Sequence, residues 1–346
     1  MFIRVKKGWK ILFVVLSVII LLMIFNHRLV YYAYIQAKGQ INVIRNAQPI
    51  EELLIDPHFP DSLKSKLKLI EEVKVYAVKQ LGLKGIDNYT TYFDQGGKDL
   101  MWVVSGCQPF KLESYEWGFP ILGTFSYKGF FKYEMAVDEM EKLKKMGLDA
   151  SIRTAGGWST LGILKDPILS DMLDRNVGSL SDLIIHELTH GTIFIKDSIE
   201  LNENLASFIG NTGAQLFLSQ RFGETSEELQ TYKRRLEDHR KFTSYVLQGA
   251  SRLDSLYASF SDGMRQEEKL KLKELAFRDF KENVRNIEFH NDEYRKYFDD
   301  LNINNTFFMS FLRYRGGQDF FLEELNRGFQ NDLPAYIHAL KERYAR

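Results

Sequence analysis

The sequence predicts an α+β fold: an N-terminal transmembrane helix, then a mixed strand and helix subdomain, then a mainly helical half. Three observations lead there. An uninterrupted apolar run, ILFVVLSVIILLMIF, occupies residues 11–25. Short aromatic and β-branched runs, TTYFD, LMWVVS and GTFSYKGFF, fall between residues 89 and 131 and are punctuated by Gly96, Gly97, Gly106, Pro109 and Gly118, the texture of strands. From residue 180 onward the apolar positions recur at helical spacing almost to the end of the chain.

The apolar run would reach roughly 22 Å as a helix at about 1.5 Å per residue. Gly8 to Lys10 and Asn26, with Trp9 at the interface, extend it toward the ~20 residues a span requires. Arg4, Lys6, Lys7 and Lys10 precede the run, while Arg28 and Lys38 follow it. Such an asymmetry predicts a cytoplasmic amino terminus and a single-pass protein of the inner membrane, whose folded domain lies on the outer side. A cleaved signal peptide competes with this anchor. It lacks a small-x-small cleavage site, because Asn26-His27-Arg28-Leu29-Val30-Tyr31-Tyr32 is bulky throughout. The division expected is therefore 1–28 for tail and anchor and 29–346 for one folded domain.

Within that domain, residues 29–46 read as an amphipathic helix stopped by Pro49. Leu63, Leu67, Ile70, Val73 and Ala77 set a helical period ended by Gly82. Residues 133–146 form another helix capped by Gly147, and 149–154 a strand. Residues 180–195 and 202–222 form two helices that carry the chemistry, followed by long charged helices over 225–257 and 265–286 and a helical remainder to 346.

Composition limits the partners. Among 346 residues, 45% are hydrophobic and 14% aromatic, enough to bury a sizeable core. Lys plus Arg equals Asp plus Glu at 46 each, so no net basic field invites a nucleic acid. The single cysteine, Cys107, excludes an internal disulfide and reads as a small buried hydrophobe.

The segment SDLIIHELTHGTIF contains His186-Glu187-Leu188-Thr189-His190. Residues four apart share a helix face, so both imidazoles can address one ion, with Glu187 beside them to address a water. A catalytic zinc site takes three protein ligands and keeps a fourth position open. Glu203, in Leu201-Asn202-Glu203-Asn204-Leu205-Ala206, is the candidate third ligand. A short loop can fold its helix back antiparallel to the first, and Ala206, one turn along, leaves room for close approach. By itself Glu203 also reads as a first-turn carboxylate facing the helix dipole. The four residues together imply one Zn2+ ion, a peptide or protein substrate, and amide hydrolysis with Glu187 as base. A non-catalytic, zinc-stabilised scaffold or binding protein at the membrane surface is the rival expectation; it would not need Glu187.

HELTH with a downstream LNENLA resembles the gluzincin metallopeptidases, in which such a glutamate is the third ligand. More closely, the chain resembles the bacterial Putative aminopeptidase family, whose members often carry an amino-terminal anchor. The resemblance rests on YYAYIQAKGQINVI with QPIEELL, GFPILGTFSYKGFF, WSTLGILKDPILSDML, HELTHGTIF followed by NENLASFIGNTG, and NINNTFFMSFLRY. It implies a zincin-like helical half and an aminopeptidase; the four site residues alone imply only amide hydrolysis. The loop before Glu203 is shorter than in thermolysin-like enzymes, and no G-x-M-E-N segment is present.

An oxyanion needs a donor besides the metal. Tyr314, in NINNTFFMSFLRY, is the expected candidate, with a core or surface tyrosine as the plainer alternative. Asn304 and Asn305 read equally as helix caps. The strand 149–154 and Gly156-Gly157-Trp158-Ser159-Thr160 offer either an edge for an extended peptide or a turn. Asp166 before Pro167 reads as a helix cap over 168–173, and the remaining histidines and the charged helices as solvated faces.

Overall fold

The computed structural model describes residues 13, 17, 24–85, 88–119, 123–154, 165–196, 198–296, 302–312 and 317–344. From the amino end, α1 (His27–Asn46) leads through β1 (Gln48–Pro49) to α2 (Ile50–Ile55) and α3 (Asp61–Lys79). A strand-bearing stretch follows: β2 (Thr91–Phe93), β3 (Trp102–Cys107), β4 (Trp117–Phe119), β5 (Gly123–Phe125), β6 (Tyr127–Phe130), α4 (Tyr133–Lys145), β7 (Asp149–Thr154) and β8 (Ile168–Leu169). Thereafter the chain is helical: α5 (Val177–Thr192), α6 (Ile199–Phe222), α7 (Glu227–Ala258), α8 (Gln266–Asn283), α9 (Glu293–Lys296), α10 (Asn305–Leu312), α11 (Gly317–Phe329) and α12 (Leu333–Arg343).

Two expectations are corrected. The described residues are about 65% helical, and among them the strands make only three small sheets, β1-β2-β8, β6-β3-β7 and the β4-β5 hairpin. The architecture is therefore mainly helical with minor sheets, not α+β with an N-terminal transmembrane helix. Aromatic and β-branched runs report strand preference, but these strands run only two to six residues and pair in sheets of two or three. Among the described residues no helix is long and apolar enough to cross a membrane, which removes the support for a single-pass inner-membrane protein. Of the run 11–25 only Phe13, Ser17, Ile24 and Phe25 are described. The helix that follows is amphipathic: it carries Arg28, Lys38 and Arg45 and buries only Ile35 and Val43.

The largest core forms where α3, α5 and α6 meet under the C-terminal α11 and α12. Ile70 and Val73 of α3, Ile184 and Leu188 of α5, Phe208 and Leu218 of α6, and Tyr336 and Leu340 of α12 belong to it. The helical period of α3 ends where Gly82 turns at φ +71°. A second, aromatic core joins α7, α8 and α10 through Phe242, Phe280 and Phe308. The third packs α4, through Ala136 and Leu143, on Val104 of β3.

One buried ion pair binds the strand layer to the helices. Lys273 of α8 donates to both oxygens of Asp149 at 2.8 and 2.7 Å and to the Pro109 carbonyl at 2.7 Å. Asn305 strengthens the junction by donating its backbone N–H to Asp149 at 2.8 Å. Each charge depends on the other, because a lone buried ion is far costlier than a hydrogen-bonded pair.

Segment 168–173, expected as a helix capped by Asp166, is instead β8 followed by a single 3₁₀ turn over Ser170–Asp174. β8 pairs parallel with β2, Tyr92 opposite Ile168 and Phe93 opposite Leu169. Cys107 is buried as expected, and burial pushes its thiol up to about 12.

Candidate metal centre

Helix α5 begins at Asn176, whose side chain accepts the Ser179 N–H at 2.9 Å and so satisfies one orphan donor of the first turn. Its apolar positions, Leu180, Ile184, Ile185 and Leu188, face the core. His186 and His190 stand one turn apart on another face, their Nε2 atoms 3.1 Å from each other.

The return of α6 depends on Asn202. Its Oδ1 accepts the Ile195 N–H at 2.7 Å, and its Nδ2 donates to the carbonyls of Ile195 and Ser198 at 2.7 and 2.8 Å. One buried side chain thus closes the loop between the helices and sets the direction in which α6 starts. The next residue, Glu203, then meets the histidines: its oxygens lie 3.6 Å from His186 Nε2 and 3.5 Å from His190 Nε2.

These three residues could hold a metal ion; their ligand atoms all lie within 4.8 Å of one another. The fit can be tested on the triangle itself. Ligands ~2.0 Å from a tetrahedral ion are about 3.3 Å apart; here the two Nε2 atoms are 3.1 Å apart, and Glu203 turns one oxygen to each ring, Oε2 at 3.6 Å from His186 and Oε1 at 3.5 Å from His190. His190 is 6% exposed at its side chain, His186 18% and Glu203 32%. The triangle is therefore backed by protein on the histidine side and opens to solvent beside the glutamate.

The charges are arranged to suit a cation. Burial, followed by the neighbouring His186 charge, lowers His190 to about 4. For His186 burial pulls the same way, but the hydrogen bond to Glu203 and the charges of Glu187, Glu203 and Asp182 prevail and raise it. Burial alone would raise Glu203; its hydrogen bond to His186 and the charges of both histidines lower it instead. The directions are opposed: His186 holds a proton more readily than a free imidazole, while His190 and Glu203 hold theirs less readily than free groups.

Behind His186 lies a carboxylate that the sequence reading passed over. Asp182, one turn earlier on α5, is raised by burial and opposed by His186, a hydrogen bond to Tyr232, and the charges of Arg235 and Arg175. The Tyr232 hydroxyl of α7 lies 3.1 Å from Asn211 Oδ1 of α6 as well, and its single proton goes to one acceptor at a time. A carboxylate behind a ligating imidazole orients the ring and strengthens it as a ligand. Gly210 lets the α6 backbone come close to both residues: a Cβ there would lie 2.5 Å from Asp182 Oδ1, 3.0 Å from the Asp182 carbonyl and 3.2 Å from His186 Cβ.

Of the other candidates, Asn304 accepts the Thr306 N–H at 2.9 Å and donates to the Ala150 carbonyl at 3.0 Å. Asn305 is buried among Gln108, Asp149 and Tyr257. Both asparagines fasten α10 to the strand layer, and the hydrogen bonds to Ala150, Asp149 and Gln108 run to that layer and not to the triangle. Tyr314 and the 156–160 segment lie outside the described residues.

The family described as Putative aminopeptidase matches residues 31–345, and the chain belongs to it. No match to a curated protein or to a solved structure is found.

Two outcomes follow from this geometry. Alanine is worth about 1 kcal/mol more than glycine within a helix, so Gly210→Ala would stabilise a loosely packed α6. Close packing is expected instead to cost about 1–3 kcal/mol net and to weaken metal binding about tenfold, read by denaturant unfolding and metal titration; a more stable variant with unchanged affinity would contradict the contact. The second concerns pH. Metal must displace the His186 proton while His190 is already neutral and Glu203 already ionised. Between the ordinary carboxylate range and the raised His186 value, binding should therefore release about one proton and weaken about tenfold per pH unit lowered. Calorimetry in buffers of differing ionisation enthalpy would show it, and a release of two protons would contradict the charge assignment.

Proposed function

We propose that this chain is a zinc-dependent peptidase of the gluzincin type that removes residues from the amino end of peptide or protein substrates. The observation that carries the reading is the His186, His190 and Glu203 triangle, with Glu187 adjacent in sequence to its first member. Two imidazoles and one carboxylate are a donor set that zinc favours, and a triangle open on one side suits a catalytic rather than a closed structural site. Family membership supports peptidase chemistry and is the source of the amino-terminal specificity.

When bound, zinc would supply Lewis-acid polarisation of the scissile carbonyl and acidify the attacking water. The protein supplies the rest. His186 and His190 would ligate through Nε2, with Asp182 orienting the first ring. Glu187 takes a proton from the attacking water and delivers it to the departing amide nitrogen, since an amine anion is too basic to leave unprotonated. Burial around His190 keeps bulk water from competing at the rear of the site.

In a test with purified full chain, Glu187→Gln is expected to retain one zinc per chain and lose about 10³-fold in turnover, whereas His186→Ala loses metal and turnover together. Peptides with free amino termini should be cut from that end, and their N-acetylated forms left intact. A Glu187→Gln chain with parental turnover would remove the base from Glu187. Cleavage of acetylated peptides at interior bonds would replace the aminopeptidase reading with an endopeptidase one.

A further inference from the structure

Two of the segments that carry the family resemblance, YYAYIQAKGQINVI and GFPILGTFSYKGFF, meet at one place in the fold, the outer edge of β6. In the order β6-β3-β7 that strand has β3 on one side only, with Val103 opposite Gly129 and Trp102 opposite Phe130. The other side of such a strand presents backbone N–H and C=O groups that are a template for pairing with another chain. Here α1 covers it.

The cover is specific. Gln36 donates from Nε2 to the Gly129 carbonyl, and its Oε1 accepts the Phe131 N–H at 3.2 Å. A residue of a parallel strand does the same, donating to the carbonyl of one residue and accepting the N–H two residues on. One side-chain amide thus stands where the backbone of a further strand would stand. The Tyr32 hydroxyl donates to the same carbonyl at 2.9 Å, and its ring packs edge-on to Phe130, centroids 5.5 Å apart, with Lys128 Nζ 4.7 Å above it. Gly39 admits the Phe131 ring, since a Cβ there would lie 2.3 Å from it. Tyr32, Gln36 and Gly39 are spaced four and three apart, so they share one helix face. Beyond this clasp α1 has little hold: of its 20 residues only Ile35 and Val43 are buried, and Tyr31, Tyr34 and Ile41 are half exposed.

We propose that α1 is a strand-mimicking cap that keeps the β6 edge from pairing with the same edge of a second copy of this chain. The second copy is the fitting partner because the edge is complementary to itself. In an antiparallel pair centred on Gly129, each glycine exchanges its N–H and C=O with its counterpart, and Tyr127 of each chain stands opposite Phe131 of the other. Lys128 then stands opposite Phe130. Aromatic and cation–aromatic pairs therefore flank a residue with no side chain to keep the strands apart. The far edge of the sheet is closed differently, by Asn304 of α10, which donates to the Ala150 carbonyl at 3.0 Å.

The test uses the full chain. Gln36→Leu combined with Tyr32→Phe removes the three hydrogen bonds of the clasp and keeps side chains of similar size. In dilute solution the Phe131 amide should exchange with solvent at least about tenfold faster than in the parent. As concentration rises toward ~100 μM, it should regain protection while the sedimenting mass doubles relative to the parent. Unchanged exchange at Phe131 would overturn the clasp. Faster exchange at parental mass, or a doubled mass with Phe131 still unprotected, would overturn the capping role. Gly39→Ala reaches the same question if the double variant does not fold. It removes no hydrogen-bonding group and alanine is the better helix former, yet its methyl group drives α1 off Phe131, so the same gains in exchange and mass are expected; parental values of both would overturn the proposal.

Discussion

Two helices can carry three metal ligands to one point only if their backbones come close, and Gly210 is where α5 and α6 do so. At that crossing a single methyl group would strike Asp182 and press on the His186 Cβ. The rest of the site follows from that approach. Asn202 folds the connecting loop so that α6 starts toward α5, Glu203 projects from its second turn onto the imidazoles, and Ala206 is buried without bulk one turn further on. The pair is then locked from outside by α3, whose Ile70 and Val73 share its core.

Around this crossing the polar groups form layers. The triangle faces outward beside Glu203; behind His186 stands Asp182, and behind Asp182 stand Tyr232, Arg235 and Arg175. Apart from these, buried Asp166 is bonded to Asn88 and, through its carbonyl, to the Tyr89 N–H. Buried charges are costly unless paired and hydrogen-bonded, so the depth of these layers matters as much as the ligands. The small sheet β1-β2-β8, a minor part of the architecture, contributes by fixing the two segments that meet at Tyr89 and Asp166. The larger β6-β3-β7 sheet stands elsewhere, joined to the C-terminal helices through Asp149 and Lys273.

Much of the triangle could be read in the sequence, because its geometry is local. Residues four apart on a helix face the same way, so His186 and His190 needed only a helix, and the expected helix over 180–195 runs Val177–Thr192. Glu203 needed one further inference, an antiparallel return across a short loop. Asp182, Gly210 and Tyr232 were not legible, since their meaning comes from partners on other elements; an aspartate one turn before HExxH has many uses until a glycine and a tyrosine are seen beside it. Asp166 before a proline suggested a cap by local rule, yet its partner is Asn88, 78 residues distant. The balance of helix and strand misled for a related reason: aromatic and β-branched runs indicate what a residue prefers, whereas sheet size depends on how long each strand runs and what pairs with it. The apolar run 11–25 met the hydropathy expected of an anchor, while the helix described after it is amphipathic.

The central claim is that His186, His190 and Glu203 hold one ion between α5 and α6. X-ray absorption on the zinc-loaded full chain tests it most directly. The account predicts two imidazole nitrogens and carboxylate or water oxygens at about 2.0–2.1 Å, with the imidazole scattering reduced by half in a His190→Ala chain and the oxygen shell altered in Glu203→Ala. A zinc spectrum that contains imidazole but is unchanged in both variants would place the ion elsewhere and contradict the account.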